Sequence, residues 1–336
     1  GMVLSYFLYT SFAPETTSFL SFALFMGIAM SITAFPVLAR VIQERGLSRS
    51  HLGTIAITSA AADDITAWCL LAAVIAVVKA GSFTSAVFTV IIALLYVGFM
   101  LKVLQPFLRR LGNVYSAKET INKTVIAVVF LVLLLSSYLT EIIGIHALFG
   151  AFMAGIIMPP NLNFRRVLAE KIEDIALVLL LPLFFVFTGL RTEIGLLNSW
   201  HLWGVCFFII FVAVLGKFGG SAVAARFVGQ SWKDSLSIGA LMNTRGLMEL
   251  IVLNIGFDLG VLSPEIFTML VIMALVTTFM TGPAMNLIDK LFKKEKEPVL
   301  VSEGKSEDSP VFDSYYKVLL SFGPAKKGVT LLGLAD

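Results

Sequence analysis

Long apolar runs separated by short polar segments set the pattern of this chain. A membrane-spanning helix needs about 20 mostly apolar residues. Nine stretches qualify, at roughly residues 18–43, 51–78, 83–106, 121–140, 144–160, 174–191, 201–225, 234–258 and 266–288. Residues 1–13 form a further apolar piece that is too short to span alone. Helical periodicity inside the runs is weak, as it is in helices that are apolar on most sides. The prediction is an all-α polytopic membrane protein.

The polar segments set its orientation. Lys and Arg gather in alternate loops: Arg40, Arg45 and Arg49; Lys102, Arg109, Arg110, Lys118 and Lys123; Arg165, Arg166 and Lys171; Arg226 and Lys233; Lys290, Lys293, Lys294 and Lys296. The opposite loops hold only Lys79 and Arg191. The basic side belongs in the cytoplasm. The alternation holds through all nine runs, which supports their number.

Two of the spans are interrupted near their middles. In Ser31-Ile-Thr33-Ala-Phe-Pro36, Pro36 removes a backbone donor and disfavours helical geometry at Phe35. In Asn243-Thr244-Arg245-Gly246, polar residues and a glycine break an apolar run. Broken helices in corresponding places of two halves point to a transport site. A plain proline kink and a packing glycine are the alternative. In the second half, a span with Lys217 precedes the broken one; in the first, the Asp63-Asp64 span follows the broken one. The missing first member of the first triplet is the helix that residues 1–13 finish, so upstream sequence is expected. The two triplets then run in opposite senses, as an inverted repeat.

Composition narrows the function. The chain has 336 residues, 58% hydrophobic and 14% charged, with a mean hydropathy of +0.91. Soluble domains are about 25% charged, so a soluble enzyme and a disordered chain are excluded for most of the length. A net charge of +3 gives no basis for nucleic-acid binding. Cys69 and Cys206 lie in apolar runs and read as buried structural thiols. No phosphate loop, nucleophile triad or metal-ligand cluster is present, so no cofactor is expected and no enzymatic reaction.

Residues 290–336 carry 15 of the 47 charged residues. Residues 290–316 have the composition of a cytosolic linker. Lys317-Val-Leu-Leu-Ser-Phe322 is strand-like and is followed by Gly323-Pro324 and an apolar-patterned piece. That order predicts the first strand and start of a cytosolic α/β domain over 317–336. A disordered tail with one apolar patch is the alternative.

Five ionisable residues lie inside the apolar spans: Asp63, Asp64, Lys217, Arg245 and Glu249. Each costs about 2.5–3.5 kcal/mol at the membrane centre. Asp63 and Asp64 sit about 18–20 Å from the cytoplasmic end of their helix at ~1.5 Å rise per residue. Adjacent helical residues point about 100° apart, so the two carboxylates serve different partners. A purely structural cluster with Lys217 needs only one of them. Glu249 either lines an ion path or pairs with Arg245 one turn back. His146 is either a pH sensor or a packing histidine.

These residues carry a family resemblance. Thr33-Ala-Phe-Pro-Val-Leu-Ala-Arg40, Ala61-Ala-Asp-Asp-Ile-Thr-Ala-Trp-Cys69, Gly144-Ile-His-Ala-Leu-Phe-Gly-Ala-Phe152 and Asn243-Thr-Arg-Gly-Leu-Met-Glu-Leu250 resemble the monovalent cation:proton antiporters, family 2. The likeness is greatest to plant-type cation/proton exchangers and their bacterial relatives. It covers about residues 1–289. It implies an inverted-repeat, sodium/proton-antiporter-like fold with two crossing broken helices, a core and a scaffold domain, and a homodimer. It implies that Asp64 is the cation and proton site, that Asp63 pairs with Lys217, and that Arg245 offsets charge at the second break. It also implies two or three more helices upstream and a tail like a universal stress protein.

The expected activity is exchange of K⁺ or Na⁺ for protons across a cell membrane by alternating access. Proton and cation compete for the Asp64 carboxylate. Ser31, Thr33, Asn243, Thr244 and carbonyls freed at the breaks are candidate oxygen ligands. Two other readings stay open. One is a glutathione-gated potassium efflux system, whose tail carries a glycine-rich nucleotide loop that is not seen here. The other is a degenerate transporter core acting as a sensor, against which the intact Asp63, Asp64 and Lys217 set argues.

Overall fold

The computed structural model describes residues 1–48, 50–80, 83–115, 123–159, 173 and 175–292. The linker expected over 290–316 falls outside these from residue 293, as does the strand expected over 317–336. Every regular element among the described residues is helical. Among the described residues, seven helices are long and apolar enough to cross a membrane, and eight if one bent pair counts as a span.

The elements follow the apolar runs. They are α1 (Met2–Phe12), α2 (Phe19–Ser31), α3 (Phe35–Glu44) and α4 (His51–Ala80). Then come α5 (Phe83–Phe99), which passes through a π turn into α6 (Gln105–Tyr115), α7 (Lys123–Ile143) and α8 (Ala147–Ile156). A π turn at Ala176–Leu180 leads into α9 (Leu181–Arg191). α10 (Trp200–Val214) continues through a π turn, Leu215–Gly219, into α11 (Gly220–Phe227). α12 (Trp232–Met242), α13 (Leu247–Asp258) and α14 (Pro264–Leu291) complete the bundle.

Serine starts several of these helices, because its hydroxyl satisfies a free N–H of the first turn. Ser18 accepts from the Ser21 N–H at 3.2 Å, Ser199 from Leu202 at 3.3 Å, and Ser231 from Asp234 at 3.1 Å. Ser263 caps α14 ahead of Pro264, where proline lacks only a donor that the first turn does not use.

The run at 144–160 differs from the sequence expectation. Its helix covers only ten residues, Ala147–Ile156, or about 15 Å against a hydrocarbon core of about 30 Å. Gly144 and His146 hold φ of 94° and 106°. The glycine tolerates this and makes a sharp turn where hydropathy sees continuous apolar sequence. His146 then caps α8, its Nδ1 accepting the Leu148 N–H at 3.3 Å.

Three apolar clusters hold the bundle. The first joins α1, α2, α4, α10, α13 and α14 through Leu4, Phe25, Leu71, Ile209, Leu253 and Phe267. Another joins α3, α4, α12 and α14 through Leu38, Ala60, Leu241 and Met285. The remaining cluster gathers α5 to α8 with Ala72 of α4, around Tyr96, Met100, Phe149 and Met153. α4, which carries Asp63 and Asp64, is the element common to all three. α1 packs against α2, and its buried Leu4 and Leu8 belong to the first cluster. Cys206 is buried; Cys69 is exposed, which corrects its reading as a buried thiol, because its face of α4 points away from the clusters.

Ion pairs at helix ends agree with the loop-charge topology. At one end Lys79 meets Glu141 at 3.3 Å and Arg191 meets Asp258 at 2.6 Å. At the other, Asp289 takes Arg45 at 3.7 Å and Lys233 at 3.5 Å. Each pair joins residues that the charge alternation places on one side.

Candidate functional site

The two breaks meet. The first runs through Ile32, Thr33 and Ala34 between α2 and α3, and the second through Asn243 to Gly246 between α12 and α13, which are bent by 43°. The Ala34 N–H donates to the Thr244 carbonyl at 3.1 Å, and the Thr33 hydroxyl to the Met242 carbonyl at 3.0 Å. Gly246 makes the approach possible: a Cβ there would lie 3.0 Å from both Ala34 Cβ and Val37 Cγ2. The first break falls upstream of the place the proline suggested. Phe35 is already helical, and Pro36 sits in the first turn of α3, where a missing N–H costs little.

A broken helix strands four carbonyls at its C-terminal end. Water is not there to satisfy them in a bilayer core. At the end of α2, Ile28 O accepts from the Ser31 hydroxyl at 3.0 Å. Ala29 O and Met30 O accept from the Arg245 guanidinium at 2.8 and 3.0 Å, and Ser31 O accepts from Lys217 Nζ. At the end of α12, Gly239 O accepts from Asn243 N at 3.1 Å, and Ala240 O from the Thr281 hydroxyl at 3.4 Å. Leu241 O accepts from the Thr244 hydroxyl at 2.7 Å, and Met242 O from Thr33. All eight are therefore partnered. Arg245 and Lys217 meet the α2 end as cations, which its dipole favours.

The charged residues sort into two pairs and one remainder. Asp63 Oδ2 takes Lys217 Nζ at 2.9 Å and the Thr33 N–H at 2.9 Å. Arg245 and Glu249 are fully buried and meet at 3.1 Å one turn apart on the second broken helix. Glu249 thus pairs with Arg245; its Oε2 and the Asn243 Oδ1 are buried without a partner among the described residues. Asp64 is half-buried and makes no hydrogen bond or ion pair among the described residues. Two cations cancel two anions, so Asp64 is the carboxylate left over.

Of the candidate ligands, the Ser31, Thr33 and Thr244 hydroxyls donate to carbonyls, leaving oxygen lone pairs. The carbonyls of Ile32, Thr33 and Asn243 have no donor among the described residues. The carbonyls at the C-terminal ends of α2 and α12, in contrast, are already occupied by protein donors.

Thr278 of α14 belongs to the site and carries no sequence signal, being a threonine in a long apolar helix. Its hydroxyl accepts the Arg245 N–H at 3.0 Å and lies 2.8 Å from the Arg245 carbonyl. It fixes the backbone of the break at the residue that bears the guanidinium.

The transmembrane domain model described as sodium/hydrogen exchanger matches residues 1–288. The chain belongs to the sodium/hydrogen exchanger family. It is accordingly a multi-pass membrane protein of the cation/proton antiporter group that its motifs resemble. It is 46% identical over 284 residues to the Na⁺/H⁺ antiporter NhaS4 of Synechocystis, covering 84% of this chain and 69% of that protein. It is 40% identical to cation/H⁺ antiporter 17 of Arabidopsis thaliana over 86% of this chain and 36% of the relative. With K⁺/H⁺ antiporter 1 of Saccharomyces cerevisiae it shares 32% identity over 86% of this chain and 34% of the relative. The chain thus spans about a third of the length of these plant and yeast relatives. All three are named as antiporters.

Proposed function

We propose that this chain is the membrane domain of an antiporter that exchanges a monovalent cation, K⁺ or Na⁺, for protons. One observation carries the reading: among five membrane-embedded charged residues, four cancel in two pairs and the Asp64 carboxylate has no partner among the described residues. A lone carboxylate at mid-membrane is costly unless a proton or a cation neutralises it. It holds one or the other, so the two ions compete and exchange follows. The relatives, named as Na⁺/H⁺, K⁺/H⁺ and cation/H⁺ antiporters, support the same substrates.

The other residues take supporting roles. Asp63 and Lys217 neutralise each other and tie α4 to the end of α2. Arg245 and Glu249 hold the crossing of the two broken helices. Asn243 Oδ1 and the free carbonyls of Ile32, Thr33 and Asn243 offer hard oxygen ligands for an alkali cation. Alternating exposure of Asp64 to the two sides completes the cycle. The assembly in this reading is a homodimer in the cell membrane, with residues 290–336 on the cytoplasmic side as a linker and the start of a further domain.

The test is Asp64→Asn in the full-length protein, reconstituted in proteoliposomes with a pH-sensitive dye. Proton movement driven by added KCl or NaCl is abolished, while insertion and assembly persist. Near-normal exchange by the Asn variant rejects the mechanism, and absence of exchange by the wild-type protein favours the sensor reading.

A further inference from the structure

Lys102, Arg109 and Arg110 stand on the helical rod between α4 and α7, made of α5, the turn Met100–Leu104 and α6. All three are exposed, and none has a hydrogen bond or ion pair among the described residues. Neighbouring cations at the same end of the bundle have partners. Arg40 meets Glu44 at 2.7 Å, Arg45 and Lys233 share Asp289, and Arg226 lies 5.2 Å over the Trp232 ring. No acidic residue lies between Asp64 and Glu119 in the sequence, whereas Lys79, Lys102, Arg109, Arg110 and Lys118 do. The rod thus carries positive charge with no local counter-charge.

The rod also offers apolar surface below these charges. Ile91, Leu95 and Phe99 are exposed and four residues apart, so they form one stripe. Val103 and Phe107 are exposed beside the cations. Depth fits a lipid. Phe83 follows Lys79 at the outer end, and at ~1.5 Å per residue Lys102 lies about 29 Å along the rod. Arg109 and Arg110 lie about 39–40 Å along it. The hydrocarbon layer is about 30 Å thick, with roughly 5–7 Å of headgroups on each side. Lys102 therefore falls at the inner hydrocarbon edge, and the long arginine side chains reach back into the headgroup layer. From Ile91 to Lys102 is about 16 Å, half the hydrocarbon thickness and the depth of one leaflet. A soluble acidic protein would meet the cations and leave the stripe bare. A second copy related by a two-fold axis would bring the same positive charge to the same face.

We propose that the cytoplasmic end of this rod is a binding site for anionic phospholipid of the inner leaflet. Lys102, Arg109 and Arg110 hold the phosphate and headgroup, and the Ile91, Leu95 and Phe99 stripe covers an acyl chain. Each basic residue at an anionic leaflet adds about fivefold in affinity, so three add about a hundredfold at low salt. The proposal does not depend on the exchange function.

The test is native mass spectrometry of the full-length protein released from vesicles of equal phosphatidylglycerol and phosphatidylcholine. Wild type retains phosphatidylglycerol in preference to phosphatidylcholine, and salt at about 0.5 M weakens the preference. The triple variant Lys102→Gln, Arg109→Gln, Arg110→Gln lowers the retained ratio about tenfold or more. Its substitutions are at exposed positions, so it melts within a few degrees of wild type in neutral detergent. The charge-keeping variant Lys102→Arg, Arg109→Lys, Arg110→Lys holds the wild-type ratio. Equal retention of the two lipids by wild type, or a wild-type ratio in the Gln variant, would overturn the proposal. So would a charge-keeping variant as poor as the Gln variant. Displacement of the lipid by inorganic phosphate would make the patch a plain anion site and overturn the lipid reading. The same spectra give the oligomer mass. A Gln variant that changes its oligomeric state and keeps its lipid ratio assigns the face to a second copy instead.

Discussion

Replacing Lys217 by alanine removes the ammonium that lies 2.9 Å from Asp63 and also serves the Ser31 carbonyl. At that distance and an effective dielectric of about 20, the attraction is about 6 kcal/mol before desolvation is subtracted. Deleting one partner of a buried pair costs roughly 3–5 kcal/mol. Here the side chains keep 12% and 26% exposure, so some water reaches the stranded carboxylate. Asp63 also keeps the Thr33 N–H. A loss of about 2–3 kcal/mol follows, or roughly 4–10 °C in apparent melting temperature. Asp63→Asn alone costs less, about 1–2 kcal/mol, because the amide oxygen still accepts from Thr33 and Lys217 still has Ser31 O. The double variant strands no charge, so its loss is smaller than the sum by about 2 kcal/mol. Tryptophan-fluorescence melts of the four purified proteins in one detergent measure the cycle. Losses that add to within about 0.5 kcal/mol would show that the two residues do not act as partners.

Glu249→Leu leaves the fully buried Arg245 guanidinium without its counter-ion and lowers stability by about 3–5 kcal/mol. Glu249→Gln, which keeps an acceptor for Arg245, loses less, and equal melts for the two variants would rule out a charge effect. Thr278→Val removes the hydroxyl that serves the Arg245 backbone and costs about 1–3 kcal/mol with slowed cation-driven proton flux. Thr278→Ser restores both, and a Ser variant as impaired as Val would assign the effect to packing instead.

Local chemistry was enough to read the elements and the breaks. Membrane helices announce themselves by apolar length, because each is stable in lipid through its own backbone hydrogen bonds. The polar Asn243–Gly246 run and Pro36 flagged interruptions through effects that act within a residue or two, although the first break lies just upstream of the proline. Five charges in apolar runs stood out for the same reason: their cost is set by depth alone. Where local context was ambiguous, the reading slipped. Gly144 and His146 turn the chain inside an apolar stretch, and the start of α3 accommodates Pro36 instead of breaking at it.

Which groups meet was decided only in three dimensions. Arg245 reaches Ala29 and Met30, more than 200 positions away, and Lys217 reaches Asp63 across 154. No local property of a carbonyl at the end of α2 says which cation will satisfy it. The same holds for Thr278, whose hydroxyl matters only because α14 lies against the second break. Adjacent aspartates look equivalent in sequence; the crossing of four helices pairs Asp63 and leaves Asp64 open. The sequence alone determined that charge is buried, because burial follows from composition. The tertiary structure alone decided which charge is left uncompensated, because compensation depends on distances between elements that the chain brings together only on folding.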